Sequence, residues 1–142
     1  MKEKFGQLPN GEEAYLYTIS CGELVAKVTN YGAALVSLFV DGLDVWLGLD
    51  DVAGYESQGG FLGAVVGRNA NRIGGAKFLL NGQEVVLPAN EGPNNLHSGP
   101  DYFKNRLWNV ESVSENAITF SLFSPDGDQG FPGNATIKAT YA

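Results

Sequence analysis

The chain has 142 residues, 44% hydrophobic and 18% charged, a mixture that is neither disordered nor low-complexity and that suits a single domain over residues 1–142 with a real core. Sixteen acidic side chains against nine basic ones leave a net charge of -7, which disfavours a nucleic-acid partner because a phosphate-backbone binder needs clustered Lys and Arg. A single cysteine and a single histidine exclude a disulfide framework and a Cys/His zinc site, so no metal is expected, and the lack of an apolar leader or of any run of about 18 apolar residues argues for a cytoplasmic protein with no membrane partner.

Glycine-bearing turn dipeptides punctuate the chain at Asn10-Gly11, Asp41-Gly42, Asn81-Gly82 and Asp126-Gly127. Between them the residues are β-branched, aromatic and alternating. Strands are predicted at Glu13 to Ile19, Leu24 to Thr29 and Ala34 to Val40. A short helical turn fits Val52 to Tyr55. Asn81-Gly82 sits between Lys77 to Leu80 and Glu84 to Leu87, the pattern of a hairpin with a two-residue turn. Pro88 to Arg106 is a long, polar, turn-rich loop, interrupted at most by a helical turn at Tyr102 to Asn105; loops of that length inside a compact domain tend to be functional. Trp108 to Val113, Ile118 to Phe123 and Ala135 to Tyr141 complete the predicted strands. No window sustains an i, i+3, i+4, i+7 apolar stripe. The chain therefore reads as all-β, an antiparallel β-sandwich of stacked sheets. The final period-2 run continues to Ala142 without a cap, so its open edge is a place where copies of the chain would pair into a homo-oligomer.

Phosphate-binding and nucleophile-elbow motifs are absent, and Cys21 reads as a small buried residue. Two polar clusters remain. Gly67-Arg68-Asn69-Ala70-Asn71-Arg72-Ile73 follows the apolar Phe61 to Val66, placing planar guanidinium donors and amides at the edge of a core. Such groups suit a polyhydroxyl ligand, or they tie sheet edges to carboxylates such as Glu84 or Asp50. Asn94-Asn95-Leu96-His97-Ser98-Gly99-Pro100 lies on the long loop. His97 is the residue whose ordinary pKa falls near neutrality, so it can exchange a proton with a hydroxyl or ring oxygen. Tyr102, Phe103, Trp108 and Phe131 would either stack on the apolar face of a sugar or fill the core.

Several segments, in order, resemble the aldose 1-epimerase (galactose mutarotase) family. They are Asn30-Tyr31-Gly32-Ala33, Asp44-Val45-Trp46-Leu47-Gly48 with Gly54-Tyr55, and Gly67-Arg68-Asn69-Ala70-Asn71-Arg72-Ile73. Leu96-His97-Ser98-Gly99 through Arg106-Leu107-Trp108 and Ser124-Pro125-Asp126-Gly127 with Gly130-Phe131-Pro132-Gly133 continue the likeness. The resemblance implies part of a β-supersandwich, specifically its N-terminal half, and interconversion of the α and β anomers of an aldohexose without a cofactor. Carried over by position, Asn71, Arg72 and His97 bind the monosaccharide, and His97 is also catalytic. Asn69 stands where an aromatic or aliphatic residue is common, and Ser98 where glycine is usual.

The family's second histidine, in a T-x-H-x-Y-F-N motif, and its Asp and Glu site residues are expected beyond residue 142. The resemblance therefore implies an incomplete epimerase. A non-catalytic carbohydrate-binding module and an oligomerising structural fragment are the competing readings.

Overall fold

A computed structural model describes every residue from Met1 to Ala142. In chain order its strands are β1 (Lys2–Gln7), β2 (Glu13–Cys21), β3 (Leu24–Thr29), β4 (Leu35–Val40), β5 (Leu43–Asp44), β6 (Arg72–Ile73), β7 (Lys77–Leu80), β8 (Gln83–Val86), β9 (Asn95–Leu96), β10 (Asn109–Val113), β11 (Ile118–Ser124) and β12 (Ala135–Tyr141); one short helix, α1 (Val52–Ser57), lies between β5 and β6. The paired strands form a five-stranded sheet in the order β1-β2-β3-β4-β5, a three-stranded sheet β10-β11-β12, and two pairs, β6-β9 and β7-β8. The all-β, antiparallel reading holds. No helix is long and apolar enough to cross a membrane.

Contacts divide the chain into two compact units. The first comprises Met1–Val65, Lys104–Leu122 and Lys138–Ala142. Its five-stranded sheet is apolar on both faces because alternation in β2 sends Ala14 and Leu16 one way and Tyr17 and Ile19 the other. Ala14 and Leu16 join Phe5, Leu8, Tyr31, Ala34, Val36, Val52 and Tyr55 in one buried cluster. On the opposite face the Tyr17 ring meets the edge of Phe120 of β11 at 6.0 Å, and Tyr141 of β12 meets Phe120 at 6.5 Å. The Tyr141 hydroxyl donates to the Ala33 carbonyl at 2.7 Å. Helix α1 starts where Asp51 accepts the Gly54 N–H at 2.8 Å, and it buries Val52 and Tyr55.

The second unit comprises Val66–Phe103 and Phe123–Ile137. Ala76, Leu87 and Phe131 form its core, with Ile73, Phe78 and Val85 packed around them. The β7-β8 hairpin turns at Asn81 and Gly82, whose φ values of 52° and 80° are the left-handed pair that a two-residue turn requires. Gly67 is needed for a different reason: a Cβ there would lie 2.8 Å from the Phe103 ring.

Four strands were not legible in the residue pattern, among them β5, which is two exposed residues after the Asp41-Gly42 turn. β1 buries little besides Phe5, so its polar alternation carried no apolar signal. β6 and β9 are two residues each, too short for periodicity, and β9 lies inside the long loop. Cys21 is also a correction. It is exposed rather than buried, because it forms the last pair of β2 with β3, against Leu24, beside the Gly22 turn.

Gly67→Ala is expected to destabilise the fold by about 1–3 kcal/mol, because Phe103 is 2% exposed and has no room to retreat. A urea titration followed by tryptophan fluorescence measures this, and an unchanged midpoint would contradict it.

Candidate functional site

The two polar clusters meet through β6 and β9. Arg72 pairs with Leu96 and Ile73 with Asn95, antiparallel, so the next residues along the register, Asn71 and His97, stand opposite each other. Ile73 packs on the core of the second unit. Asn95 is fully buried, and its amide donates to the carbonyls of Pro88 at 2.9 Å and Gly99 at 3.1 Å, while its Oδ1 is buried without a hydrogen-bond partner. The Asn90 side chain accepts the Leu96 N–H at 2.7 Å and donates to the Leu96 carbonyl and the Tyr102 hydroxyl. The loop is therefore held by side-chain amides where a longer strand would use its backbone.

Asn71 and His97 exchange two hydrogen bonds. The His97 N–H donates to the Asn71 carbonyl at 3.0 Å, and the Asn71 N–H donates to the His97 ring at Nδ1, 2.9 Å away. A neutral imidazole that accepts at Nδ1 carries its proton on Nε2, so the ring presents an N–H donor there. Asn71, His97 and Ser98 all have left-handed φ values, of 64°, 53° and 56°. Asn and, to a lesser degree, His are enriched in that region, whereas Ser is uncommon there.

The two arginines of the Gly67–Ile73 cluster have different surroundings. Arg68 spends its guanidinium on the chain: Nε donates to the Ser124 hydroxyl, Nη1 to the Pro132 carbonyl, and Nη2 to the carbonyls of Ser124 and Pro125, each at 2.9 Å. It is a structural tie. Arg72 is exposed and forks onto Glu91, with Nη2 at 2.6 Å and Nε at 2.9 Å from Oε1, while Nη1 donates to Asn71 Oδ1 at 3.2 Å. Neither arginine uses Glu84 or Asp50; Glu84 pairs with Lys77 at 3.0 Å. The Arg72 hydrogen bonds hold the Glu91 carboxyl below the usual carboxylate range, and Glu91 raises Arg72 in return.

Asn71, Arg72 and His97 thus form one contiguous cluster, with Asn71 and Arg72 exposed and His97 half-buried. Of the two readings of the aromatic residues, burial supports the core. Phe103, Trp108 and Phe131 are 2%, 2% and 8% exposed and are core residues, and the half-buried Tyr102 uses its hydroxyl on Asn90. Glu91 and Asn90 were missed as members of this neighbourhood. Their only sequence signal is that they lie in the long loop, since the residues separating Glu91 from Arg72 give no periodic cue.

Because the paired Glu91 titrates below its unfolded value, its contribution is present above the unfolded pKa and is lost as pH falls through the folded one. Carboxyl ¹³C NMR is expected to show Glu91 titrating at lower pH than an unpaired glutamate and returning to the ordinary range in Arg72→Met; no difference between the two proteins would contradict the pairing. For Arg68, replacement by Lys is expected to cost about 1.5–3 kcal/mol in a urea titration, since one ammonium cannot reach acceptors spread over Ser124, Pro125 and Pro132.

Comparison with known proteins gives the same picture along the whole chain. The family model Aldose 1-epimerase matches residues 15–142. Galactose mutarotase of Rattus norvegicus is 37% identical over 143 residues, covering 96% of this chain and 42% of the relative, and aldose 1-epimerase of Escherichia coli K12 is 36% identical over 139 residues, covering 94% and 40%. The crystal structure of galactose 1-epimerase from Lactobacillus acidophilus NCFM superposes with a TM-score of 0.87 at 29% identity, over 99% of this chain and 43% of that one. The chain spans about two fifths of the length of these relatives. With the family match running from Tyr15 to the last residue and the mutarotase fold shared, this chain belongs to the aldose 1-epimerase family.

Proposed function

We propose that Asn71, Arg72 and His97 form the monosaccharide-binding part of an aldose 1-epimerase site, one that takes an aldohexose such as galactose or glucose. The observation that carries this reading is the contact of the Asn71 N–H with His97 Nδ1, which sets an Nε2–H donor beside an exposed guanidinium and an amide. Glu91 and Asn71 engage Nε and one N–H on each terminal nitrogen of Arg72, leaving one further N–H on each for sugar hydroxyls. A neutral, hydroxyl-rich ligand suits a cluster that offers donors while its one positive charge is already paired.

In anomer interconversion a base takes the proton of the anomeric hydroxyl while an acid delivers one to the ring oxygen. The C1–O5 bond breaks, the aldehyde rotates, and closure gives either anomer. His97 Nε2–H is suited to hold the ring oxygen through a hydrogen bond rather than to protonate it, since giving up the only proton of a neutral ring would leave an imidazolate. The acid and the base are further groups, because one group cannot take and give protons at separated atoms in one step, and a missing partner typically costs about 10²–10⁴-fold. The 142 residues by themselves are therefore expected to bind sugar and to turn it over weakly or at the spontaneous rate.

Titration with galactose and with glucose, followed by NMR, is expected to give saturable binding in the millimolar range. Arg72→Met should weaken it about 10–150-fold, the equivalent of losing about 1.5–3 kcal/mol of charged hydrogen bonding. Polarimetry on freshly dissolved α-galactose, with His97→Ala beside it, separates catalysis from binding alone. Acceleration that disappears in the variant supports catalysis, and binding without acceleration supports a binding module. Absence of any saturable response to either sugar would overturn the proposal.

A further inference from the structure

The turn that carries the imidazole is made from the wrong residues. The Gly99 N–H donates to the Leu96 carbonyl at 3.1 Å, and the two residues between them, His97 and Ser98, both have positive φ. That combination is the mark of a type I′ turn, for which Asn-Gly is the favoured pair and in which side chains other than Asn and Gly sit at a cost. Something must hold His-Ser there. Ser98 is 2% exposed, and its hydroxyl closes a reciprocal pair with one residue of the facing segment: it accepts the Asn69 N–H at 2.8 Å and donates to the Asn69 carbonyl at 2.9 Å. Two residues along, Asn71 makes its own reciprocal pair with His97. The segment 69–71 is thus fastened to 97–98 at two points, of which the first is a side-chain hydroxyl.

We propose that Ser98 is a positioning residue for His97: its hydroxyl latches the turn to Asn69 and so keeps the Asn71 N–H on Nδ1, which fixes the proton of the neutral ring on Nε2. Two backbone segments meet here through only two residues of β-pairing, so without the latch the ladder has little to stop the turn from swinging away from Asn71. With Nδ1 no longer occupied, the imidazole would exchange between its two neutral tautomers, and the donor aimed from Nε2 would be present only part of the time. The latch itself stands on these hydrogen bonds; that the fixed Nε2–H serves a sugar rests on the reading of the preceding subsection. The resemblance to the family leads one to expect glycine at this position, which could make the turn without strain but could not make the latch.

His97 is the single histidine of the chain, so its ring nitrogens are read without assignment in a long-range ¹H–¹⁵N NMR spectrum. At alkaline pH the wild-type protein is expected to show one protonated nitrogen, at Nε2, and one unprotonated nitrogen, at Nδ1, with widely separated shifts. In Ser98→Gly, which relieves the backbone and so keeps the fold, the two shifts should move toward each other as the tautomers mix. Ser98→Ala removes the hydroxyl alone and should do the same; should it fail to fold, Ser98→Cys keeps the Cβ with only a weak donor and takes its place. A wild-type ring protonated at Nδ1 overturns the proposal. So do variants whose ring shifts match the wild type, and so does a change confined to the glycine variant, which would assign the effect to the backbone. Galactose added to each sample separates this idea from the sugar reading: a fixed Nε2–H that ignores galactose keeps the latch and removes the sugar, whereas a ring perturbed equally by galactose in wild type and Ser98→Gly keeps the sugar and removes the latch.

Discussion

The pairing of Arg72–Ile73 with Asn95–Leu96 is the contact on which the candidate site depends. Everything said of Asn71 and His97 follows from its register, since a slip of one residue would invert which side chains face the core and separate the imidazole from the Asn71 N–H. A two-residue ladder has little strength of its own. It is stabilised by what surrounds it: Ile73 on the apolar core of the second unit, Asn95 with its amide on two carbonyls, Asn90 bridging Leu96 and Tyr102, and Ser98 on Asn69. The three polar side chains, Asn95, Asn90 and Ser98, take the place of backbone hydrogen bonds that a longer strand would have made. The arrangement leaves the adjacent residues free of sheet geometry, which is what lets Asn71, His97 and Ser98 take left-handed backbone angles beside a strand.

Two arginines four residues apart show how surroundings divide similar chemistry. Arg68 is surrounded by carbonyl oxygens and a serine hydroxyl, and its planar fork of donors is used up in joining Val66–Phe103 to Phe123–Ile137 within the second unit. Arg72 faces solvent and meets a carboxylate. An exposed ion pair of this kind adds little to stability, but its bidentate geometry restricts the guanidinium to one orientation, with the remaining N–H groups on its far side. Glu91 also cancels much of the arginine's field. The cluster therefore offers directed hydrogen bonds with small net charge, in a protein whose sixteen acidic groups already outnumber its basic ones. Within the proposed function, orientation matters more than attraction.

Most of the strands were legible before the fold was known because they bury one or both faces. Leu24 to Thr29 is bounded as predicted, the Asn81-Gly82 hairpin turns where its dipeptide says, and Ala135 to Tyr141 runs as its alternation implies. The strands that escaped, β1, β5, β6 and β9, are those whose pairing is not driven by apolar burial along their own length. Aromatic residues were ambiguous for a similar reason: Phe103, Trp108 and Phe131 have the surface chemistry for a sugar and the volume for a core, and only burial decides between them.

By itself the amino-acid order determined the all-β class, the principal turns, the family, and the identity of the polar residues worth watching, because period-2 burial, glycine-bearing turns and short motifs are local properties. What it left open was decided by contacts across long stretches of chain. The tertiary structure chose Glu91 over Glu84 or Asp50 as the partner of Arg72, turned Arg68 into a tie, exposed Cys21, and set the Nδ1 of His97 against a backbone N–H twenty-six residues away. The physical reason is common to all four. A side chain's partner and protonated atom depend on which backbone groups are brought within hydrogen-bond reach, and that proximity is created by the fold rather than by neighbours in sequence.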